Sequence, residues 1–267
     1  MRMGDLKEIY DEKIDELEIT DFETPDEVYW LEETKEKGQY EGEMNTKKKE
    51  RQGYGTCIFK DKSIYEGLWD EDKPHGKGIR IFPDRDVYVG DFVESKMEGN
   101  GTYEEADGSY YEGGWKNNLR DGEGTQNFED ESVYTGQWKK GQKHGKGRID
   151  FPNGSYYDGE YKEEKNHGKG EYKWADGKVY TGDWKQGMMH GEGRMTWPDD
   201  KTYEGSFRKD KREGMGTLTW ASGKKYIGMW KKGKMHGTGK MIDQYGNEVE
   251  GEWEDNEMVK RENHTPT

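Results

Sequence analysis

The sequence predicts an all-β repeat fold, an elongated single-layer ribbon or groove of about ten stacked β-hairpins with a short α-helical N-terminal segment. Three observations predict it. A Tyr-x-Gly-x-Trp pattern returns at a fixed step of 23 residues, and a Gly-x-Gly pair returns in phase with it. The third is composition: only 28% of residues are hydrophobic and 38% are charged, yet 13% are aromatic, with 10 Trp and 18 Tyr. That balance leans toward disorder when order is ignored. Aromatic rings offset it, because each brings a large buried area at small entropic cost. The chain therefore folds through many thin aromatic clusters instead of one thick core.

The repeat is read from Tyr65, Gly67 and Trp69, which recur as Tyr88/Gly90/Phe92, Tyr111/Gly113/Trp115, Tyr134/Gly136/Trp138, Tyr157/Gly159/Tyr161, Tyr180/Gly182/Trp184, Tyr203/Gly205/Phe207 and Tyr226/Gly228/Trp230. A degenerate last copy, Val249/Gly251/Trp253, keeps the register, and a first copy at Tyr40/Gly42/Met44 lies 25 residues before Tyr65. The glycine pairs never slip, so the two extra residues belong to the first turn, among Asn45 to Gln52. Positions i, i+2 and i+4 of a strand share a face, which sets Tyr, Gly and Trp on one side. The strand ends near Asp72, Ser95, Asn118, Glu164, Asp210 and Asn256, which are turn formers. A second strand is expected after each glycine pair, closing at Asn153-Gly154 or Asp176-Gly177 in a tight turn. The glycine in the middle of the first strand is expected to leave room for a ring to lie over backbone. Glu105 and Asp243 stand where other repeats carry Phe or Trp, which marks those repeats as weak points. At two strands per unit the ribbon would extend roughly 90 Å.

This unit, with His-Gly-x-Gly and an aromatic followed by Asp/Asn-Gly after the Tyr-x-Gly-x-Trp, resembles the MORN (membrane occupation and recognition nexus) repeat. The resemblance covers residues 40–253. It implies a groove-like β-ribbon of the kind found in ciliary radial-spoke heads, apicomplexan cytoskeletal proteins, junctional membrane proteins and, beside separate catalytic domains, plant phosphoinositide kinases and a histone lysine methyltransferase. Its implication here is a scaffold or interaction role, with a radial-spoke-head type of protein as the nearest expectation.

Catalytic and cofactor signals are weak. His75, His144, His167, His190 and His236 all precede a glycine pair, but equivalent positions lie about 10 Å apart, whereas zinc ligands sit about 2.1 Å from their metal. They read as polar turn residues, exchangeable with Gln52, Glu98, Asp121 and Glu213. Gly145-Lys146-Gly147 lacks the Ser/Thr and the strand-to-helix context of a phosphate loop. Cys57 is the single cysteine and sits on a regular strand position, so it neither forms an internal disulfide nor pairs with a catalytic His. No enzyme activity, metal or cofactor is expected.

One feature points to a partner. Lys116, Lys139, Lys162, Lys185, Arg208 and Lys231 follow the first-strand aromatic in six consecutive repeats, on the face opposite the rings. Two readings stand: a solvated face balanced by Glu112, Asp158, Asp183, Glu160 and Glu204, or a stripe for an acidic partner such as a tubulin tail or lipid head groups. The net charge of −15 argues against a nucleic-acid partner.

The organisation expected is an acidic segment at 1–39, a repeat array at 40–257 and a disordered tail at 258–267. Residues 1–39 hold 14 Asp/Glu against 5 Lys/Arg, a net of −9. Leu6, Tyr10, Ile14 and Leu17 recur at helical spacing, and Thr24-Pro25-Asp26-Glu27 opens a second helix through Val28, Trp30 and Leu31. These helices either cover the first edge of the ribbon or dock to another protein through Trp30 and Leu31. Glu248, Glu250, Glu252 and Glu254 place charge on the final strand, where it would discourage end-to-end pairing. The start lacks a signal-peptide pattern, so a cytoplasmic, cytoskeletal protein, most specifically of the ciliary axoneme, is expected. Its partners would be other axonemal or cytoskeletal subunits or a second copy in a homodimer. Anionic phospholipid is the alternative.

Overall fold

A computed structural model describes residues 38–261. The helices expected before Gly38, and with them Trp30 and Leu31, lie outside the described residues. The chain divides into two compact units, the first ending at Glu129 and the second starting at Asp130.

In the first unit β1 (Gln39–Asn45), β2 (Glu50–Ile58), β3 (Ile64–Asp70), β4 (Lys73–Ile81), β5 (Val87–Val93), β6 (Lys96–Glu104), β7 (Tyr110–Lys116) and β8 (Leu119–Asn127) pair in sequence order, all antiparallel. The second unit repeats the scheme in β9 (Val133–Lys139), β10 (Gln142–Asp150), β11 (Tyr156–Lys162), β12 (Lys165–Lys173), β13 (Val179–Lys185), β14 (Met188–Thr196), β15 (Thr202–Arg208), β16 (Lys211–Thr219), β17 (Lys225–Lys231), β18 (Lys234–Ile242), β19 (Glu248–Glu254) and β20 (Glu257–Arg261).

Each repeat is one hairpin, but its glycine pair lies inside the second strand, not ahead of it. In β13 and β14 the register runs Gly182 opposite Gly193, then slips so that Asp183 faces His190. The slip is a bulge on the longer strand, with Gly191 at φ +56°, the left-handed region where glycine carries no side-chain penalty. A bulge leaves backbone groups out of the ladder. Here the Tyr180 hydroxyl donates to the Asp183 carbonyl oxygen at 2.9 Å, and the Asp183 carboxylate accepts from the Glu192 amide at 2.9 Å. The histidine position is therefore a strand position beside the bulge, not a turn.

The ring rests on two glycines. A β-carbon at Gly193 would stand 2.5 Å from the Tyr180 ring, and one at Gly182 would stand 2.5 Å from the Cα of Gly193. The second glycine of each pair supplies most of the space assigned from sequence to the first strand.

The short turns take two residues with positive φ, as at Glu163 (+50°) and Glu164 (+70°), the conformation that matches strand twist in a tight hairpin. They also tie each hairpin to the one before it. The Asp210 amide donates to the Met189 carbonyl at 3.1 Å while the Asp210 carboxylate accepts from the Met189 amide at 2.8 Å. Asp72, Asn118 and Asn256 hold Arg51, Met97 and Met235 in the same way. The first turn differs as expected: Asn45 pairs with Glu50 across four residues.

Two expectations change. The chain continues as β20 through Arg261, so residues 258–261 are ladder and not tail, and β19 is not the last strand. Its acids form cross-strand pairs, Lys240 with Glu248 and Glu250 at 2.7 and 2.9 Å and Lys260 with Glu252 at 3.2 Å. Glu105 and Asp243, in place of a ring, take polar partners. Glu105 accepts from Arg120 at 3.2 Å, and Asp243 accepts from the Tyr245 and Asn247 amides at 2.9 and 2.8 Å, closing its own turn.

Candidate partner-binding surfaces

The ring face consists of Tyr, Trp and Phe packed edge to face. In the second unit the chain of contacts runs Tyr134–Tyr161, Tyr157–Trp184, Tyr180–Phe207, Tyr203–Trp230 and Tyr226–Trp253, with centroids 5.0 to 5.3 Å apart. The geometry places positive ring edges on negative faces. Trp indole N–H groups donate to backbone, as Trp184 does to the Gly170 carbonyl at 3.0 Å and Trp230 to the Gly216 carbonyl at 3.1 Å.

Lids complete the burial. The residue just before each histidine position sits at the same 23-residue step: Arg51, Pro74, Met97, Arg120, Lys143, Asn166, Met189, Arg212 and Met235. Arg212 lies 4.0 Å over the Trp230 ring, Arg51 4.1 Å over Trp69, and Arg120 5.1 Å over Tyr111. Burial holds the Arg212 guanidinium below its ordinary range and pushes the Tyr180, Tyr203 and Tyr226 phenols above theirs. The rings are accordingly structural and closed to a partner. The lid series was missed in the sequence because its members share no chemistry; only their spacing marks them.

One margin of the hairpins carries the aromatic that opens most of the five-residue turns. Trp174, Trp197 and Trp220 are half-buried, with Lys178, Lys201 and Lys224 ammonium groups 4.3, 4.7 and 5.4 Å from their rings. In three other repeats Ser63, Ser109 and Ser132 donate to Asp61, Asp107 and Asp130, and those hydrogen bonds hold the carboxyls below the usual range.

The opposite margin carries the candidate residues. Lys116 ends β7, and Lys139, Lys162, Lys185, Arg208 and Lys231 end β9, β11, β13, β15 and β17; all six are exposed. The acids of the outer face have found other bases: Asp183 pairs with Lys169 at 2.6 Å, Asp158 with Arg148 at 3.6 Å, and Glu160 accepts from the Lys169 amide. Among the described residues none of the six basic side chains makes a hydrogen bond or ion pair. The four-residue tips beginning at 139, 162, 185, 208 and 231 contain eleven Lys/Arg against three Asp/Glu, so this margin of the second unit is basic although the chain is acidic.

Among the described residues no group of three or more His, Cys, Asp or Glu is placed to hold a metal ion. Cys57 is buried, and burial raises its thiol above the ordinary range, which keeps it protonated and poorly nucleophilic.

No match was found among curated proteins. Among solved structures the chain is similar to the wild-type TCP10 domain of Danio rerio CPAP, at 10% identity and a TM-score of 0.39, with 80% of this chain and 96% of that one covered. It is also similar to the SAS-4 (dCPAP) TCP domain of Drosophila melanogaster, solved with a proline-rich motif of Ana2 (dSTIL), at 10% identity and a TM-score of 0.26, covering 76% and 85%. A streptogramin B lyase structure matches at 8% identity and a TM-score of 0.17, covering 86% and 70%. The model of the MORN repeat matches residues 40–64, 65–87, 88–110, 111–133, 134–156, 157–179, 180–202, 203–225 and 226–244. Each match begins on the tyrosine whose hydroxyl closes a bulge, over most of the chain, and the chain therefore belongs to the MORN-repeat family.

Proposed function

We propose that this protein is a non-catalytic interaction scaffold of a cytoskeletal assembly, most specifically a ciliary one of the radial-spoke-head kind, and that it engages an acidic protein segment such as a tubulin tail. The observation that carries this reading is the basic margin, where Lys139, Lys162, Lys185, Arg208 and Lys231 stand exposed and unpaired on successive hairpins. Unpaired cations at a spacing of about 10 Å fit an extended acidic chain, and the attraction steers encounter as well as register. The closed ring face and the small number of candidate reactive groups support a scaffold role.

Anionic phospholipid is the second reading, since the same cations would meet head groups. Glu163, Glu164 and Asp210 within the margin disfavour it, because a flat anionic surface meets those acids along with the bases. The test is co-sedimentation of the full chain with microtubules or axonemes and, separately, with liposomes containing phosphatidylserine. Pelleting with the polymer that is lost in a Lys139→Glu, Lys162→Glu, Lys185→Glu variant is expected. Strong, salt-sensitive lipid pelleting lost in that variant would overturn the reading.

A further inference from the structure

The outer face of the first unit holds a row of apolar side chains that no later repeat has. Ile58, Ile64, Ile81 and Val87 stand opposite one another across β2, β3, β4 and β5, and Ile79 and Val89 pair in the adjoining row. Each neighbours a ring-face residue in sequence, so each points to the other side of the sheet. Ile64, Ile79, Ile81 and Val87 form one cluster with Ile58 and Val89 packed against it.

Their burial is out of place. Ile79 is 2% exposed and Val87 is 1% exposed. The residues equivalent to Ile79 in later repeats, Thr102, Thr125, Arg148, Glu171, Arg194, Thr217 and Lys240, are all half-exposed or exposed. Those equivalent to Val87 are half-buried at Val133, Tyr156, Val179 and Thr202 and exposed at Tyr110, Lys225 and Glu248. The neighbouring strands that flank each position are the same in every repeat, so strand pairing does not account for the difference. The sequence has already adapted to a cover, because exposed apolar rows of this kind are association sites when left open.

The occupant is indicated by where the chain goes. Gln39 pairs with Ile58, and a β-carbon at Gly38 would lie 2.1 Å from the Ile58 carbonyl oxygen. The chain thus enters the sheet at Gly38, beside one end of the row. The preceding residues carry Leu6, Tyr10, Ile14 and Leu17 at the spacing of one helical stripe. A helix over 5–18 would be about 21 Å long, which suffices for a row of four strands spaced at about 4.8 Å.

We propose that residues 1–37 dock intramolecularly on the outer face of β2 to β5, seating Leu6, Tyr10, Ile14 and Leu17 on Ile58, Ile64, Ile79, Ile81, Val87 and Val89. The segment would then cover a face of the sheet and not its first edge.

The test is methyl NMR of the full-length chain with Ile, Leu, Val and Met methyl labelling and a soluble nitroxide as the accessibility probe. Cross-relaxation between the Ile79 or Ile81 methyls and those of Leu6, Ile14 or Leu17 is expected, with Ile79 shielded from the nitroxide. An Ile14→Glu, Leu17→Glu variant should raise the broadening of Ile79 to that of exposed Met215 and Ile227, while buried Met195 and Leu218 stay unchanged as a check that the array is folded. Nitroxide-accessible Ile79 in the native chain would overturn the proposal. Cross-relaxation only between chains carrying different labels would overturn it too, since a second copy would then be the cover.

Discussion

The hydroxyl oxygen of Tyr134 would lie 2.3 Å from a β-carbon added at Gly147. No real β-carbon tolerates that contact, so each repeat depends on a glycine that the tyrosine of the same hairpin requires. Replacing Gly147 with Ala should cost about 3 kcal/mol through overpacking against a buried ring. Gly154, whose β-carbon would meet nothing within 4 Å but whose φ is +79°, should cost only about 1 kcal/mol for the same change. Urea denaturation of the two variants measures the difference; equal losses would mean that backbone conformation, and not ring contact, sets the glycine requirement.

The tyrosine hydroxyls are unequal. Tyr157 donates to the Glu160 carbonyl oxygen at 2.9 Å, whereas the buried Tyr161 hydroxyl has no hydrogen-bond partner among the described residues. Tyr157→Phe should therefore lose about 1–2 kcal/mol by leaving a bulge carbonyl unmet, while Tyr161→Phe should be neutral or stabilising. Thermal melts of both variants check the order, and a larger loss at Tyr161 would contradict it.

Turn residues have a dual task. Asp210 has φ +65° and caps the Met189 amide at 2.8 Å. Asn should preserve both features, Gly should keep only the conformation, and Ala should keep neither and cost about 1–2 kcal/mol. The expected order of melting temperatures is native and Asn highest, then Gly, then Ala. A Gly variant above the native chain would show that the cap contributes nothing.

Glu66 sets a pH dependence. It lies on the outer face between Thr56 and Ile79, accepts a hydrogen bond from Tyr54, and is pushed by burial up to about 7. Because the folded value lies above the unfolded carboxyl value of about 4.3, folding favours the protonated form. This contribution is full below the unfolded value and is lost as pH rises through about 7. Glu66→Gln should be more stable than the native chain at pH 8 and approach it by pH 5. Denaturation midpoints that run parallel across that range would contradict the assignment.

The fold was legible because its rule is periodic. A 23-residue step in Tyr, Gly and Trp exposes the ring face, the hairpin count and the longer first turn, all without reference to distant contacts. What escaped is what breaks the period or has no chemical uniformity. The lids from Arg51 to Met235 keep a position but not a residue type. Ile64, Ile79 and Val87 vary from the pattern in one stretch, which only aligned copies and measured burial bring out. The bulge displaced the glycine pair from the start of the second strand into its interior, since a register slip leaves no mark in side-chain alternation. Glu105 looked like a missing ring because its compensation by Arg120 comes from the following hairpin. At the basic margin the sequence offered two readings, and the pairing of Asp158 and Asp183 with Arg148 and Lys169 removes those acids as counterions for it.

The most direct test of the scaffold reading is the affinity of the full chain for a fluorescent tubulin-tail peptide, measured by anisotropy as ionic strength rises. Saturable binding is expected that weakens with salt, as screening over about 10 Å at 0.1 M requires, and that disappears in the Lys139→Glu, Lys162→Glu, Lys185→Glu variant. Equal binding by the native chain and the variant, or binding indifferent to salt, would contradict it.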